Sequence, residues 1–218
     1  MFNSSSNEFN KYRGTTTVGL VCSDGVVFAT DTRVTSGYLF IAHKKGKKIH
    51  KIDDHLGMTI AGNLADAQNI VDTLRYYANL YKLERKTPIP IRSAARLAAN
   101  VFFSSRLFPY IADVLVGGVD AYGGSVFNID LFGSLTEEKF VSTGSGSPVA
   151  YGILESDYKE GISIADGIPL AIKAIIAAIK RNAGTGDDID VAIISKDGFK
   201  ELSDEEKIKI INRIIGRS

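Results

Sequence analysis

The stretch Arg13-Gly14-Thr15-Thr16-Thr17-Val18-Gly19 decides how this chain is read. Three threonines open a β-branched, apolar run that continues through Leu20 and Val21. Branching at Cβ restricts rotamers and favours the pleated backbone, so the run predicts a first strand. Gly14 stands just before it, where the absence of a Cβ lets another group approach the backbone closely. Two readings are open at this point. The stretch is a strand with a threonine-rich edge, or the Gly14–Thr15 bond is cut and Thr15 becomes a new N-terminus. In the second case the freed α-amine stands beside the threonine hydroxyl as its base.

Working outward, the residues before Thr15 are polar, MFNSSSNEFNKYRG, and lack the apolar centre of a secretory signal, so residues 1–14 read as a short leader. Residues 15–218 carry no repeat, linker or low-complexity segment and read as one domain. The 26 basic and 25 acidic residues nearly cancel, which excludes nucleic-acid or membrane-surface binding driven by bulk charge. The single cysteine, Cys22, sits in a strand pattern and reads as a small buried hydrophobe, in keeping with a reducing compartment. No run approaches the roughly 18 apolar residues of a membrane span.

Strand patterns over 15–22 and 26–32 flank the hairpin signal Ser23-Asp24-Gly25, and another covers 56–62. Asn63 caps a helix marked by Leu64, Ala67, Ile70, Val71, Leu74, Tyr77, Ala78 and Tyr81, and a second runs from about 91 to 107. Strands follow over 113–119, 125–132 and 139–143. Helices follow over 148–158 and from Ser163, with Asp166 completing a capping box, to Arg181. A hairpin of 189–195 and 199–202 leads to a last helix capped by Ser203 and Glu206, predicted to bury Ile208, Ile211, Ile214 and Ile215. This order satisfies an α+β fold, a four-layer α/β/β/α sandwich of two antiparallel sheets flanked by helix pairs.

Further motifs narrow the class. Ala29-Thr30-Asp31-Thr32-Arg33, Lys47-Lys48-Ile49, Thr59-Ile60-Ala61-Gly62, Asp66-Ala67-Gln68, Leu115-Val116-Gly117-Gly118 and Ser142-Thr143-Gly144-Ser145-Gly146-Ser147-Pro148 follow the threonine run in that order. With them, the chain from Thr15 to about Leu202 resembles an archaeal-type β subunit of the 20S proteasome, a family of N-terminal-nucleophile hydrolases. The glycine-serine run lacks the Gly-Lys-Ser/Thr ending of a phosphate cradle. His43, His50 and His55 have no metal-ligand spacing and read as turn or surface residues, apart from the role the resemblance gives His50.

The resemblance implies a threonine endopeptidase that degrades unfolded proteins inside a chamber, with no cofactor and no metal. Its partners would be α subunits and other β subunits in seven-membered stacked rings, with an ATP-dependent unfoldase cap. Its place would be the cytoplasm. Thr15 would be the nucleophile after autocatalytic loss of the leader at Gly14. Its α-amine, with a reference pKa of about 7.7–8.0, would serve as base. Lys48 would lie against the threonine hydroxyl, and Asp31 would hold Lys48 charged. The Gly62 N–H would face the oxyanion, and Ser145 would bond the free amine. Val34, Thr35, Gly46, His50, Ile60 and Leu64 would line the specificity pocket, with an apolar preference.

After Arg181 the chain departs from the family pattern of Arg-Asp followed by Ser-Gly. It reads Arg181-Asn182-Ala183-Gly184-Thr185-Gly186. Thr185 keeps a hydroxyl. Asn182 places an amide where the family has a carboxylate, exchanging an acceptor-only group for one that also donates. The spacing assigns no role to Asp187 or Asp188. Two functional classes follow: an active peptidase subunit, or a catalytically silent subunit that keeps its leader and shapes a mixed β ring. On the sequence alone, Asn182→Asp is expected to speed leader removal or turnover by about 1–2 kcal/mol in the barrier.

Overall fold

The computed structural model describes residues 14–36 and 40–216, the side chains of Leu64 and Ala67 excepted. Residues 1–13 of the expected leader, 1–14, lie outside the described residues. The strands are β1 (Thr17–Cys22), β2 (Gly25–Asp31), β3 (Val34–Ser36), β4 (Phe40–His43), β5 (Ile49–Asp53), β6 (Leu56–Gly62), β7 (Ala112–Asp120), β8 (Gly123–Ile129), β9 (Leu135–Glu138), β10 (Phe140–Thr143), β11 (Ile189–Ser195) and β12 (Gly198–Glu201). The helices are α1 (Leu64–Arg85), α2 (Ile91–Ser104), α3 (Ser147–Asp157), α4 (Ile164–Arg181) and α5 (Asp204–Ile215).

Two five-stranded antiparallel sheets form the centre, ordered β10-β1-β2-β11-β12 and β5-β6-β7-β8-β9. Alternation along β2 shows why they stack. Val27 and Ala29 face α4 in one apolar core, whereas Val26 and Phe28 face the other sheet. Leu115 and Val126 meet them from β7 and β8, while the alternate residues Val114, Val116 and Phe127 pack under α1 and α2. A strand buried on both faces reads as a continuous apolar run, as Val26 to Ala29 does. Three apolar layers therefore separate four structural layers, the α/β/β/α sandwich expected from the order of elements.

The helices that flank the sheets carry small residues where they touch them. In α2 the buried set is Ile91, Ala94, Ala95, Ala98, Ala99 and Phe102, recurring at helical spacing. In α4, Gly167, Ala171, Ala174 and Ala178 alternate with Leu170 and Ile175. Asn63 caps α1 by accepting from the Ala65 N–H, and Ser203 with Glu206 forms a reciprocal capping box on α5. Pro169 falls in the second turn of α4, and the helix runs on past it. Among the described residues no helix is long and apolar enough to cross a membrane.

Several elements differ from the sequence expectation. In α5, Ile211 and Ile214 pack against the core, but Ile208 and Ile215 are more than half exposed, and the buried side chain is Lys207, which reaches Asp190 and Asp204. Strand β8 ends at Ile129, because the Asp130 carboxylate turns back to accept from the Phe132 and Ser134 N–H groups. Helix α2 ends at Ser104, three residues short of the expected boundary. Strands β3, β4, β5 and β9 carry no clean alternation. In β5 a register shift between Lys51 and Asp53 spaces Ile49 and Ile52 three apart and hides the period of two. His55 lies in the β5–β6 turn, as expected, and is partly buried there: its Nε2 lies 2.7 Å from the Ile89 carbonyl and ties that turn to the approach to α2.

Candidate active site

The site lies where the chain entering β1 meets the ends of β2, β5, β6 and β10 and the loop after α4. Thr15 is 4% exposed, and its hydroxyl donates to the Gly14 carbonyl at 2.5 Å. The oxygen thus stands beside the one peptide carbonyl that cleavage before Thr15 would attack. Gly14 is enclosed: a Cβ there would lie 2.2 Å from Thr35 Oγ1 and 3.0 Å from the Gly184 carbonyl. On the other side, Gly144 adopts φ +91°, and a Cβ on it would reach 2.2 Å from the Thr15 carbonyl oxygen. Glycine is required there both by conformation and by the approach of Thr15.

Asp31, at the end of β2, is completely buried. Its Oδ1 accepts from Lys48 Nζ and from the Thr16 N–H, both at 2.8 Å. Its Oδ2 accepts from the Gly186 N–H at 3.0 Å and the Arg33 N–H at 3.2 Å. Of the lysines in the run 44–48, Lys44, Lys45 and Lys47 are exposed and Lys48 is 6% exposed, so the fold singles out the one the sequence pattern marked. Burial raises the Asp31 carboxyl above its usual value against the attraction of Lys48, and burial lowers the Lys48 ammonium against the attraction of Asp31. Four donors converge on the carboxylate, which is what makes a buried charge tolerable. The same oxygen binds the ammonium and the amide next to Thr15, so the charge of the pair is held beside the Thr15 backbone.

A second network surrounds Asn182. Its Oδ1 accepts from Ser145 Oγ and Thr185 Oγ1, each at 2.9 Å, and its Nδ2 donates to the Ser145 carbonyl at 3.1 Å. Thr185 Oγ1 also lies 2.7 Å from Thr16 Oγ1. Asn182, Ser145, Thr185 and Thr16 therefore form one connected set, bounded by Gly184, whose backbone packs on Gly14. Gly62 ends β6 at φ +140°, and its neighbour Ala61 lies against Gly144. Around the expected pocket, Gly46 packs on Val34, where a Cβ would lie 2.2 Å from Val34 Cγ2. Ile60 is buried. His50 is half-buried, and burial pushes its imidazole down to about 4, so it is neutral at neutral pH. The Leu64 side chain lies outside the described residues.

The family model described as Proteasome subunit matches residues 11–194. The chain belongs to the proteasome subunit family. A protein named Proteasome subunit beta 2 from Nitrosopumilus maritimus is 53% identical over 198 residues, covering 91% of this chain and 94% of its own. One of the same name from Cenarchaeum symbiosum is 51% identical over 198 residues, with the same coverage. Proteasome subunit beta of Methanococcus aeolicus is 48% identical over 210 residues, covering 95% and 96%. Among proteasome subunits, the likeness of this chain is thus to archaeal β subunits.

Within this proteasome-family site the sequence reading had no role for Thr16, Arg33 or Gly184. Arg33 lay inside the quoted Ala29–Arg33 stretch, but its partners are about 150 residues away and invisible in the sequence. The expectation for Asn182 also changes. The amide does not loosen the network, because both of its ends are partnered. In Asn182→Asp an acceptor oxygen would face the Ser145 carbonyl in place of a donor. One hydrogen bond is lost and two acceptors oppose each other, a penalty of about 1–3 kcal/mol. Asn182→Asp is therefore expected to slow leader removal and turnover by roughly tenfold, read by mass spectrometry and by an apolar fluorogenic peptide. Faster processing in the variant would mean that the charge-assisted bonds from Ser145 and Thr185 outweigh the lost donor.

Proposed function

We propose that this chain is a threonine endopeptidase subunit of a proteasome core particle, activated by its own removal of the leader. The observation that carries the reading is the Thr15 hydroxyl against the Gly14 carbonyl, beside the buried Lys48–Asp31 pair. Thr15 Oγ attacks the Gly14 carbonyl carbon, and the bond to the Thr15 nitrogen breaks. The hydroxyl proton passes to the Thr15 nitrogen as that bond breaks, and water hydrolyses the resulting ester. Residues 1–14 leave with a new carboxylate, and Thr15 carries a free α-amine.

In turnover, the α-amine accepts the hydroxyl proton as Thr15 Oγ attacks a substrate carbonyl. The Lys48 ammonium stabilises the developing alkoxide and disfavours protonation of the amine. Asp31 keeps Lys48 in place and charged. The Gly62 N–H donates to the tetrahedral oxyanion, a contribution typically worth about 3 kcal/mol. The proton passes to the leaving amine, and water releases the acyl group. Val34, Thr35, Gly46, His50, Ile60 and Leu64 form the pocket for an apolar side chain, with His50 uncharged. Substrates are unfolded proteins, which reach the site inside stacked seven-membered rings of α and β subunits below an ATP-dependent cap, in the cytoplasm.

The deciding experiment is the intact mass of the assembled chain. The expected result is a species beginning at Thr15. Retention of residues 1–14 in fully assembled particles would establish the silent, leader-retaining subunit instead. Assembly is expected to precede cleavage, so a stable monomer that hydrolyses peptides would contradict the ring-bound reading.

A further inference from the structure

The loop after α4 is fastened to the end of β2 by one side chain that the catalytic scheme above does not use. Arg33 Nε meets Asp187 Oδ2 at 2.9 Å, and Arg33 Nη1 donates to the Ala183 carbonyl at 2.9 Å. The Arg33 N–H donates to the Gly186 carbonyl at 3.2 Å, and the Gly186 N–H returns to Asp31. The guanidinium lies so close over Gly186 that a Cβ there would sit 2.3 Å from Arg33 Cζ. Both charged side chains are largely covered, at 22% and 17% exposure. Asp187 itself holds φ +68°. That is a left-handed backbone where glycine is the cheaper residue. Aspartate is among the few other residues that adopt it readily, and here its carboxylate is engaged by Arg33.

We infer that Asp187 is a positioning residue: through Arg33 it locks the 182–186 loop, and with it Asn182 and Thr185, in register with Asp31 and Thr15. The inference rests on the proposed peptidase reading for its effect on rate, but the clamp itself is independent of that reading. Arg33 reaches the loop at Ala183, Gly186 and Asp187, on both sides of Thr185. Its backbone shares Asp31 Oδ2 with the loop's own Gly186 N–H. Without the carboxylate the guanidinium loses its fixed orientation, and the Ala183 end of the loop is released with it.

The test uses Asp187→Gly and Asp187→Asn in the purified full-length chain, in the assembly it forms. Glycine relieves the backbone conformation but adds chain freedom of its own, so the carboxylate's share is read from Asp187→Asn, which tolerates the left-handed backbone. The clamp predicts faster exchange in both variants. Peptides covering 182–188 should exchange amide hydrogen about fivefold faster in Asp187→Gly than in wild type. Asp187→Asn, which keeps an acceptor for Arg33, should fall between. kcat is expected to drop about fivefold in Asp187→Gly with KM unchanged, and to recover in part in Asp187→Asn. Unchanged exchange over 182–188 in either variant overturns the clamp, whatever the activity. Faster exchange with unaltered kcat overturns its positioning role. A wild-type chain that keeps its leader and cleaves nothing sinks the peptidase reading alone, since exchange still decides the clamp.

Discussion

Thr15→Ala is expected to abolish peptide cleavage and to leave residues 1–14 attached, while the sandwich stays folded. In the proposed mechanism the hydroxyl is the attacking atom in both reactions, so its removal should cost at least about 10³-fold in kcat, the scale on which loss of a nucleophile registers. The fold should barely respond. The bond lost runs from Thr15 Oγ1 to the adjacent Gly14 carbonyl and ties no two elements together, so the change in stability should stay within about 1 kcal/mol. Thr15→Ser should keep partial activity, because hydroxyl and amine both remain. The measurements are intact mass, turnover of an apolar fluorogenic peptide and a melting curve, on particles free of any other β subunit. Normal turnover by Thr15→Ala particles would remove Thr15 from the mechanism.

Lys48→Ala has the second largest expected effect, a fall in kcat of about 10²–10³-fold, the scale on which loss of a group that stabilises developing charge registers. Here folding and catalysis must be separated. Deleting Lys48 strands the completely buried Asp31, and breaking a buried pair on one side typically costs about 3–5 kcal/mol. The three backbone N–H groups from Thr16, Arg33 and Gly186 remain on the carboxylate, which places the expected cost at the lower end of that range. A neutral pair, Lys48→Met with Asp31→Asn, removes both charges together and should recover part of the stability, the rest being lost because the new amide NH2 must face a backbone N–H that the carboxylate had accepted. It should recover none of the activity. A stable double variant that turns over peptide would show Lys48 to be a packing element. A fall of less than about tenfold in a stable Lys48→Ala protein would argue the same.

The sequence by itself determined the elements whose burial is written locally along the chain. The Ala-rich stripes of α2 and α4 show the period of 3.6 that burial of one helix face imposes, the caps at Asn63, Ser163 and Ser203 mark helix starts, and the continuous apolar runs of β1 and β2 mark strands buried on both faces. The order of those elements sufficed for the four layers. Strands β3, β4, β5 and β9 escaped because they are short, little buried or bulged, and Ile208 and Ile215 were misjudged because a helical stripe does not say how wide the covered face is.

At the candidate site, Thr15, Asp31, Lys48, Ser145, Asn182 and Thr185 were legible as residue types in familiar stretches, yet no spacing revealed their contacts. The resemblance marked Lys48 of the 44–48 run, and the tertiary structure supplied its burial against Asp31. Only the tertiary structure showed that the Asn182 amide is satisfied at both ends, and that Arg33 and Asp187 hold the loop to the strand. The reason is physical. A buried ion pair or amide takes its energy from partners supplied by other elements, here separated by 17 residues for Lys48 and Asp31 and by 154 for Arg33 and Asp187. A hydrophobic period, by contrast, is written along the chain itself.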